Sequence, residues 1–486
     1  MKKIFLLLLL PAGAYSGAYA QDSFEEFKKQ TQQEFNTFKS QTDKELKEFR
    51  DRANAEFAEF MRKRWEEFNL LRAIPIPPSP DPVVPPVVDP KKKPTSDPIP
   101  FEEVVPVPQP VIPPQPIAPM PPSPQPAKEK FSFLFYNTEC KVDLKPDQRI
   151  RLSDLSEQTV ADAWEKLSDS RYNNMVGDCL DLRRKLKLCD WAYIQLVKQM
   201  SEKYYASATS SEATLLQMYI LSQSGYKVRL ARAGERLALL VPSRQTIYTY
   251  SYVNIDNLKY YLLDKSLSGK ALYVFNHEFS KEQLISLQLE QPNLSVDNTT
   301  YRTFTSQRYP DVSVTVKTNR NLVDFLGSYP VSSDWNLYSK ASLSPTLKTS
   351  LYPALRKAIA GQGEVEAANR LINFVQTAFK YQTDDAQFGY ERPLFADETF
   401  YYPASDCEDR SILYSILVRE LLGLEVVLLH YPGHLATAVC FSEKVEGDYL
   451  MVGGKKFVVC DPTYIGANVG RAMEQFKTVK ASVVKI

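Results

Sequence analysis

Histidine is scarce in this chain. There are three in 486 residues: His277, His430 and His434. Histidine-dependent chemistry must therefore use one of these side chains. Net charge is nearly absent too, with 59 basic residues against 58 acidic ones. A nucleic-acid or anionic-membrane specialist needs a concentrated basic surface, so no nucleic-acid partner is expected. No stretch beyond the N-terminus reaches ~18 uninterrupted apolar residues, so no transmembrane helix is expected. Six cysteines are present, at 140, 179, 189, 407, 440 and 460. Their spacing is wide and irregular and builds no disulfide framework. A chain this long needs no such staples, and five of the six read as small buried apolar residues.

The N-terminus reads as an export signal. Lys2 and Lys3 precede the apolar run Ile4 to Leu10, and small residues end in Ala18-Tyr19-Ala20, a cleavage pattern. We expect residues 1–20 to be removed and the mature chain, starting near Gln21, to be periplasmic or secreted. No cysteine stands near the cut, which argues against a lipid anchor. Residues 21–73 read as a coiled-coil helix, spanning 22–72. Phe27, Phe38, Phe49 and Phe60 recur every eleventh position, as do Phe24, Phe35, Leu46, Phe57 and Phe68. Eleven residues in three turns give about 3.67 per turn, which holds the stripe on one face. That stripe predicts homo-oligomerisation through residues 22–72; the alternative is a helix packed on its own globular part. Residues 74–127 hold 22 prolines between Pro75 and Pro126. Proline fixes φ and lacks an amide donor, so a polyproline II spacer with a reach on the order of 150 Å is expected.

From Phe131 the composition becomes globular and the fold class reads as α+β. Residues 128–282 form one α+β region, 283–340 a β-rich segment and 341–486 a C-terminal domain. Helices are expected at 155–168, 177–203, 210–224, 345–360, 363–379 and from Cys407 to Leu422. Strands are expected at 226–232, 236–241, 246–253, 425–430, 434–442, 448–451 and 456–460.

The chemically informative segment is Ser405-Asp406-Cys407-Glu408-Asp409-Arg410-Ser411, leading into the apolar helix Ile412 to Val418. Cys407 falls in the first turn, where unpaired amides and the helix dipole favour a thiolate. Polar residues around it are expected to keep the sulfur accessible. His434 follows the turn Tyr431-Pro432-Gly433 and opens a strand, a position suited to a general base over a cleft. Asp461 ends the strand Phe457 to Cys460 and precedes Pro462, where a carboxylate can fix the imidazole. Cys407, His434 and Asp461 are thus the candidate catalytic residues. Gln387 and Tyr402 are candidates for an oxyanion partner to the Cys407 amide. His430 and His434 are four apart, but Pro432 and Gly433 break any helix between them, so no zinc pair is expected.

Asp406-Cys407-Glu408-Asp409-Arg410, Gly433-His434 and Asp461-Pro462-Thr463 resemble the transglutaminase-like superfamily of papain-like cysteine hydrolases. So does the preceding helix ending Phe374-Val375-Gln376-Thr377-Ala378-Phe379-Lys380-Tyr381. The likeness covers about residues 345–470. It implies a Cys407–His434–Asp461 triad performing acyl transfer without a cofactor. The implied activity is that of an exported peptidase or amidase acting on a protein or peptide, cell-wall peptide included. The aromatic residue that often follows the histidine is replaced by Leu435-Ala436-Thr437, which favours hydrolysis over transfer. An amine-accepting transglutaminase at the same site and a non-catalytic envelope scaffold or binding protein remain as alternatives.

Residues 209–241 also echo 407–439 at an offset of 198. Each has a helix, a glycine (Gly225, Gly423) and a strand. At that offset Thr209 matches Cys407 and Arg236 matches His434. A duplicate of this kind in 128–282 would lack nucleophile and base.

Overall fold

The structure, a computed structural model, describes residues 19–77, 84–109, 114–116, 129–279 and 281–486. The expected export signal, residues 1–20, falls outside these residues except for Tyr19 and Ala20, and so does part of the Pro-rich stretch.

Helix α1 (Tyr19–Met61) carries the eleven-residue repeat. Phe35 and Phe38 stand in solvent, 59% and 70% exposed. Further along, the helix becomes part of a core: Arg50, Asn54, Phe57, Ala58 and Met61 are buried. Phe57 stacks on Phe279 with ring centroids 3.9 Å apart and also meets Trp164 and Phe275. Asn54 accepts a hydrogen bond from Gln223 at 2.8 Å. The helix ends at Met61, short of the expected residue 72. Strand β1 (Glu66–Phe68) follows and pairs antiparallel with Leu272–Phe275.

The expectation of a free spacer is corrected by the described parts of the Pro-rich stretch, which lie along the globular surface. The Val88 N–H donates to the Ile465 carbonyl at 2.9 Å, and that of Ile99 to Tyr449 at 2.8 Å. Strand β2 (Phe101–Val105) pairs in parallel with Ala481–Lys485. Proline cannot donate to a ladder, but the residues between prolines keep their amides and use them.

The first globular unit opens with the hairpin β3 (Phe131–Phe135) and β4 (Thr138–Val142). Helices α2 (Glu157–Leu167), α3 (Asn173–Lys185), α4 (Asp190–Tyr205) and α5 (Ser211–Gln223) follow. The single helix expected over 177–203 is two helices, interrupted where Lys187 takes a positive φ of 51°. Strands β5 (Arg229–Ala233), β6 (Arg236–Ser243), β7 (Tyr252–Ile255), β8 (Leu258–Leu262) and β9 (Leu272–Phe275) build a sheet in the order β1-β9-β5-β6-β8-β7. In the expected β-rich segment the described strands are one hairpin, β10 (Thr299–Thr305) and β11 (Ser313–Asn319), followed by α6 (Arg320–Leu326) and α7 (Trp335–Ser339).

The second unit has α8 (Pro345–Ile359), α9 (Glu364–Ala378), β12 (Lys380–Tyr381), α10 (Asp384–Phe388), α11 (Ala396–Tyr401) and β13 (Ala404–Ser405). Then come α12 (Cys407–Leu422) and the strands β14 (Glu425–Tyr431), β15 (His434–Cys440), β16 (Tyr449–Val452), β17 (Lys455–Cys460) and β18 (Ala481–Lys485). Their sheet runs β16-β17-β15-β14-β18-β2. One face, with Val426, Leu428, Leu435 and Val439, joins the main core together with α12. The other face, with Val427, Leu429, Ala438 and Val459, is closed by Ile99 and Phe101 of the Pro-rich stretch. Apolar residues on both faces explain why these strands read as continuous hydrophobic runs. The architecture is mixed α+β, and no helix among the described residues is long and apolar enough to cross a membrane.

The docking of α1 gives a direct contrast. Phe57→Ala should destabilise the chain by about 3–5 kcal/mol, the cost of emptying a buried phenylalanine site. Phe38→Ala should change stability by less than about 0.5 kcal/mol, as an exposed site does. Urea unfolding midpoints of the two variants check this.

Candidate active site

Helix α12 begins at Cys407, with Asp406 as its N-cap residue in an extended conformation. Every residue from Cys407 to Val418 is buried. The polar first turn is held by its own neighbours. The Asp409 carboxylate accepts from the Leu394 N–H at 2.7 Å and from the Asp406 N–H at 3.4 Å. Arg410 donates to the carbonyls of Gln376 at 3.2 Å and Phe379 at 2.9 Å, and lies over the Tyr381 ring. The end of α9 is thereby clamped to the start of α12.

Strands β14 and β15 are joined by Pro432-Gly433. Gly433 has φ 73°, a conformation closed to most side chains, and the tight turn delivers His434 as the first residue of β15. Asp461 directly follows β17, which pairs with β15 so that Thr437 faces Cys460. The two side chains meet: His434 Nε2 and Asp461 Oδ2 are 2.9 Å apart. The other oxygen, Asp461 Oδ1, accepts from the Thr463 N–H at 2.9 Å. His434 Nδ1 is buried without a partner among the described residues. Phe476 stacks face to face on the imidazole at 4.7 Å, with Tyr431 beyond at 6.3 Å.

Cys407 joins the pair through the adjacent backbone. The Leu435 N–H, next to His434, lies on the sulfur's side and favours its charged form. The thiol itself donates to Glu408 Oε2 at 3.2 Å. The chain thus brings the start of α12, the start of β15 and the end of β17 to one place.

Two expectations are corrected here. Cys407 is 0% exposed and His434 2%, so the sulfur is not accessible and the imidazole does not stand over an open cleft. Nor does the helix terminus dominate the thiol. Burial, with the Asp406 carboxylate next, pushes the Cys407 thiol well above its ordinary range, against the favourable Leu435 amide. The desolvation of a full charge outweighs a partial charge from the helix end.

The two candidates for an oxyanion partner to the Cys407 amide differ in their surroundings. Both amide atoms of Gln387 lack hydrogen-bond partners among the described residues, while Tyr402 packs edge-on against Phe388. His430 and His434 sit on opposite strands of one hairpin, and His430 lies against Trp335, 5.5 Å between centroids. His277 stacks on Phe60 at 4.0 Å. All six cysteines are free thiols; Cys140, Cys179, Cys189 and Cys460 are buried and Cys440 half-buried.

The sequence reading left two positioning residues without a role. Gln376 donates to the carbonyls of Asp461, Tyr464 and Ala467 at 3.2, 2.8 and 3.0 Å, and accepts from the Gly466 N–H at 3.1 Å. It fixes the loop that begins at Asp461. Arg410 is the second. Gln376 is marked in the sequence as a polar side chain interrupting an apolar helical run, whereas Arg410 stands among the charged residues of the first turn of α12.

A dense group of carboxylates surrounds the first turn of α12. Oxygens of Asp384, Asp406 and Asp409 lie within 4.8 Å of one another, as do those of Asp384, Glu391 and Glu408. Burial, reinforced by neighbouring carboxylates, pushes Asp384, Glu408 and Asp409 upward. Buried carboxylates this close must share protons or surround a cation. Oxygen donors alone would suit a hard divalent ion.

No family model, curated protein or solved structure matches this chain.

The buried acids of α11 make stability pH-dependent. Burial pushes Asp397 up to about 6 and Glu398 up to about 7. In the unfolded chain both ionise near pH 4, so above that pH the folded state holds more protons than the unfolded one. Their contribution is present below about pH 4 and is lost as pH rises through about 6 to 7. Urea midpoints should fall from pH 5 to pH 8, and Asp397→Asn should flatten part of that fall.

Proposed function

We propose that this protein is an exported cysteine hydrolase, a peptidase or amidase of the transglutaminase-like, papain-like kind. Cys407 is the nucleophile, His434 the base and Asp461 the group that orients the imidazole. The observation that carries this reading is the His434–Asp461 contact at 2.9 Å, formed one residue from the Leu435 amide that reaches the Cys407 sulfur. With Nε2 committed to Asp461, Nδ1 is the atom left to take the thiol proton. The sulfur then bonds to the carbonyl carbon of a peptide or carboxamide. His434 returns the proton to the departing amine, and water cleaves the thioester. An amine in place of water would make the same site a transglutaminase. Substrate entry requires the cover over the buried sulfur to shift. The exposed Phe35–Phe38 stripe of α1 supports self-association through the N-terminal part of that helix.

A non-catalytic envelope scaffold or binding protein is the second reading, and the full burial of Cys407 is what favours it. Labelling with an iodoacetamide probe followed by peptide mapping separates the two, with half-buried Cys440 as internal reference. The hydrolase reading expects Cys407 to label faster than Cys440, and His434→Ala to slow Cys407 by roughly 10²-fold or more. Asp461→Asn should also slow it. A Cys407 that stays unlabelled, or labels equally without His434, sinks the hydrolase reading.

A further inference from the structure

The two six-stranded sheets repeat one connectivity. Strands β5 to β9 lie in space as β9-β5-β6-β8-β7, and β14 to β18 as β18-β14-β15-β17-β16. Each set follows a buried helix, α5 or α12. Each sheet also takes its sixth strand from the N-terminal segment, β1 beside β9 and β2 beside β18.

The registers carry this match to single residues. Arg236 opens β6 as His434 opens β15. Thr437 faces Cys460, and the residue before Cys460's neighbour Asp461 is thereby fixed on the ladder. In the first sheet Leu240 faces Leu262, so Leu239 stands opposite Leu263, whose N–H reaches the Leu239 carbonyl at 3.3 Å. One step further lies Asp264, the counterpart of Asp461.

Three contacts then recur. Asp264 Oδ1 accepts from the Ser266 N–H at 3.0 Å, as Asp461 Oδ1 does from Thr463. Asp264 Oδ2 receives the Arg236 guanidinium, as Asp461 Oδ2 meets His434. The Leu237 N–H donates to Ser211 Oγ at 3.0 Å, as the Leu435 N–H reaches the Cys407 sulfur. Ser211 is the first residue of α5, as Cys407 is of α12.

We infer that the first unit carries a second, silenced copy of the site, in which Ser211, Arg236 and Asp264 stand where Cys407, His434 and Asp461 stand in the other. The nucleophile position is Ser211, not the Thr209 that a gapless offset selects, because α5, with 13 residues, is shorter than α12, with 16. The acid and its turn are kept. The base is replaced by a guanidinium, which stays protonated and cannot accept a proton. A serine hydroxyl without a base is a weak nucleophile. What remains is a closed set of contacts among Ser211, Leu237, Arg236 and Asp264 that has no base to activate an attack. The inference rests on geometry and stands whether or not Cys407 turns over a substrate.

The test installs a thiol. In the full chain carrying Cys407→Ala, Ser211→Cys would put sulfur on a helix first turn, against the Leu237 N–H and beside Arg236. Such a setting lowers a thiol pKa. Iodoacetamide at pH 7 should then label position 211 roughly tenfold faster than in the urea-unfolded chain, and Arg236→Gln should remove most of that gain. A rate equal to that of the unfolded chain, indifferent to Arg236, overturns the inference. A second readout needs no new thiol. Ser211→Ala should speed amide exchange at Leu237, and Cys407→Ala should do the same at Leu435. An unchanged Leu237 exchange rate also counts against the shared geometry.

Discussion

The rest of the second unit depends on the burial of a charged helix start. The first turn of α12 places Asp406, Cys407, Glu408, Asp409 and Arg410 out of reach of solvent. Groups of this kind are costly to desolvate and persist only where the surroundings satisfy them. Here the surroundings are specific. Asp409 takes the Leu394 amide, Asp406 takes the Asp384 amide, and Arg410 spans the last carbonyls of α9. Those bonds fix α9, the loop through Asp384 and the segment through Leu394 around one point. The same burial keeps the Cys407 thiol protonated at rest. On the proposed hydrolase reading, Cys407 needs His434 and a local opening before it can react, which links the closed site to turnover.

The sheet supplies the other half of the arrangement. A tight Pro-Gly turn sets where β15 begins, and the β15–β17 register sets where β17 ends. His434 and Asp461 meet because those two points coincide in space. Gln376 then locks the loop beyond Asp461 by three carbonyl contacts. The far face of this sheet is covered by Ile99 and Phe101, so the Pro-rich stretch takes part in the core of the unit it leads to.

Much of this was legible in the sequence. The helix before Gly423, the hairpin about Pro432-Gly433 and the strand before Asp461 are all marked by local turn chemistry and apolar runs, and the structure has them within a few residues. The position of the three site residues on those elements followed. Exposure was not legible, because it depends on what packs from elsewhere in the chain: Phe476 over His434, and the Leu394 segment over the helix start. The long α1 repeat misled in its second half, since a regular stripe does not say whether a second copy or the chain's own core covers it. Phe57 meets Trp164 and Phe279, contacts far apart in sequence. The sequence showed a helix–glycine–strand echo, but a gapless offset points to Thr209 rather than Ser211 because the lengths of α5 and α12 differ.

The central claim is that Cys407 forms a covalent acyl intermediate with the help of His434. Acid-quenched peptide mass spectrometry after brief exposure to p-nitrophenyl acetate tests it most directly. The account predicts an acetyl thioester on the peptide containing Cys407 that decays with time and fails to accumulate in His434→Ala. Acetylation absent from that peptide, or present equally without His434, would contradict it.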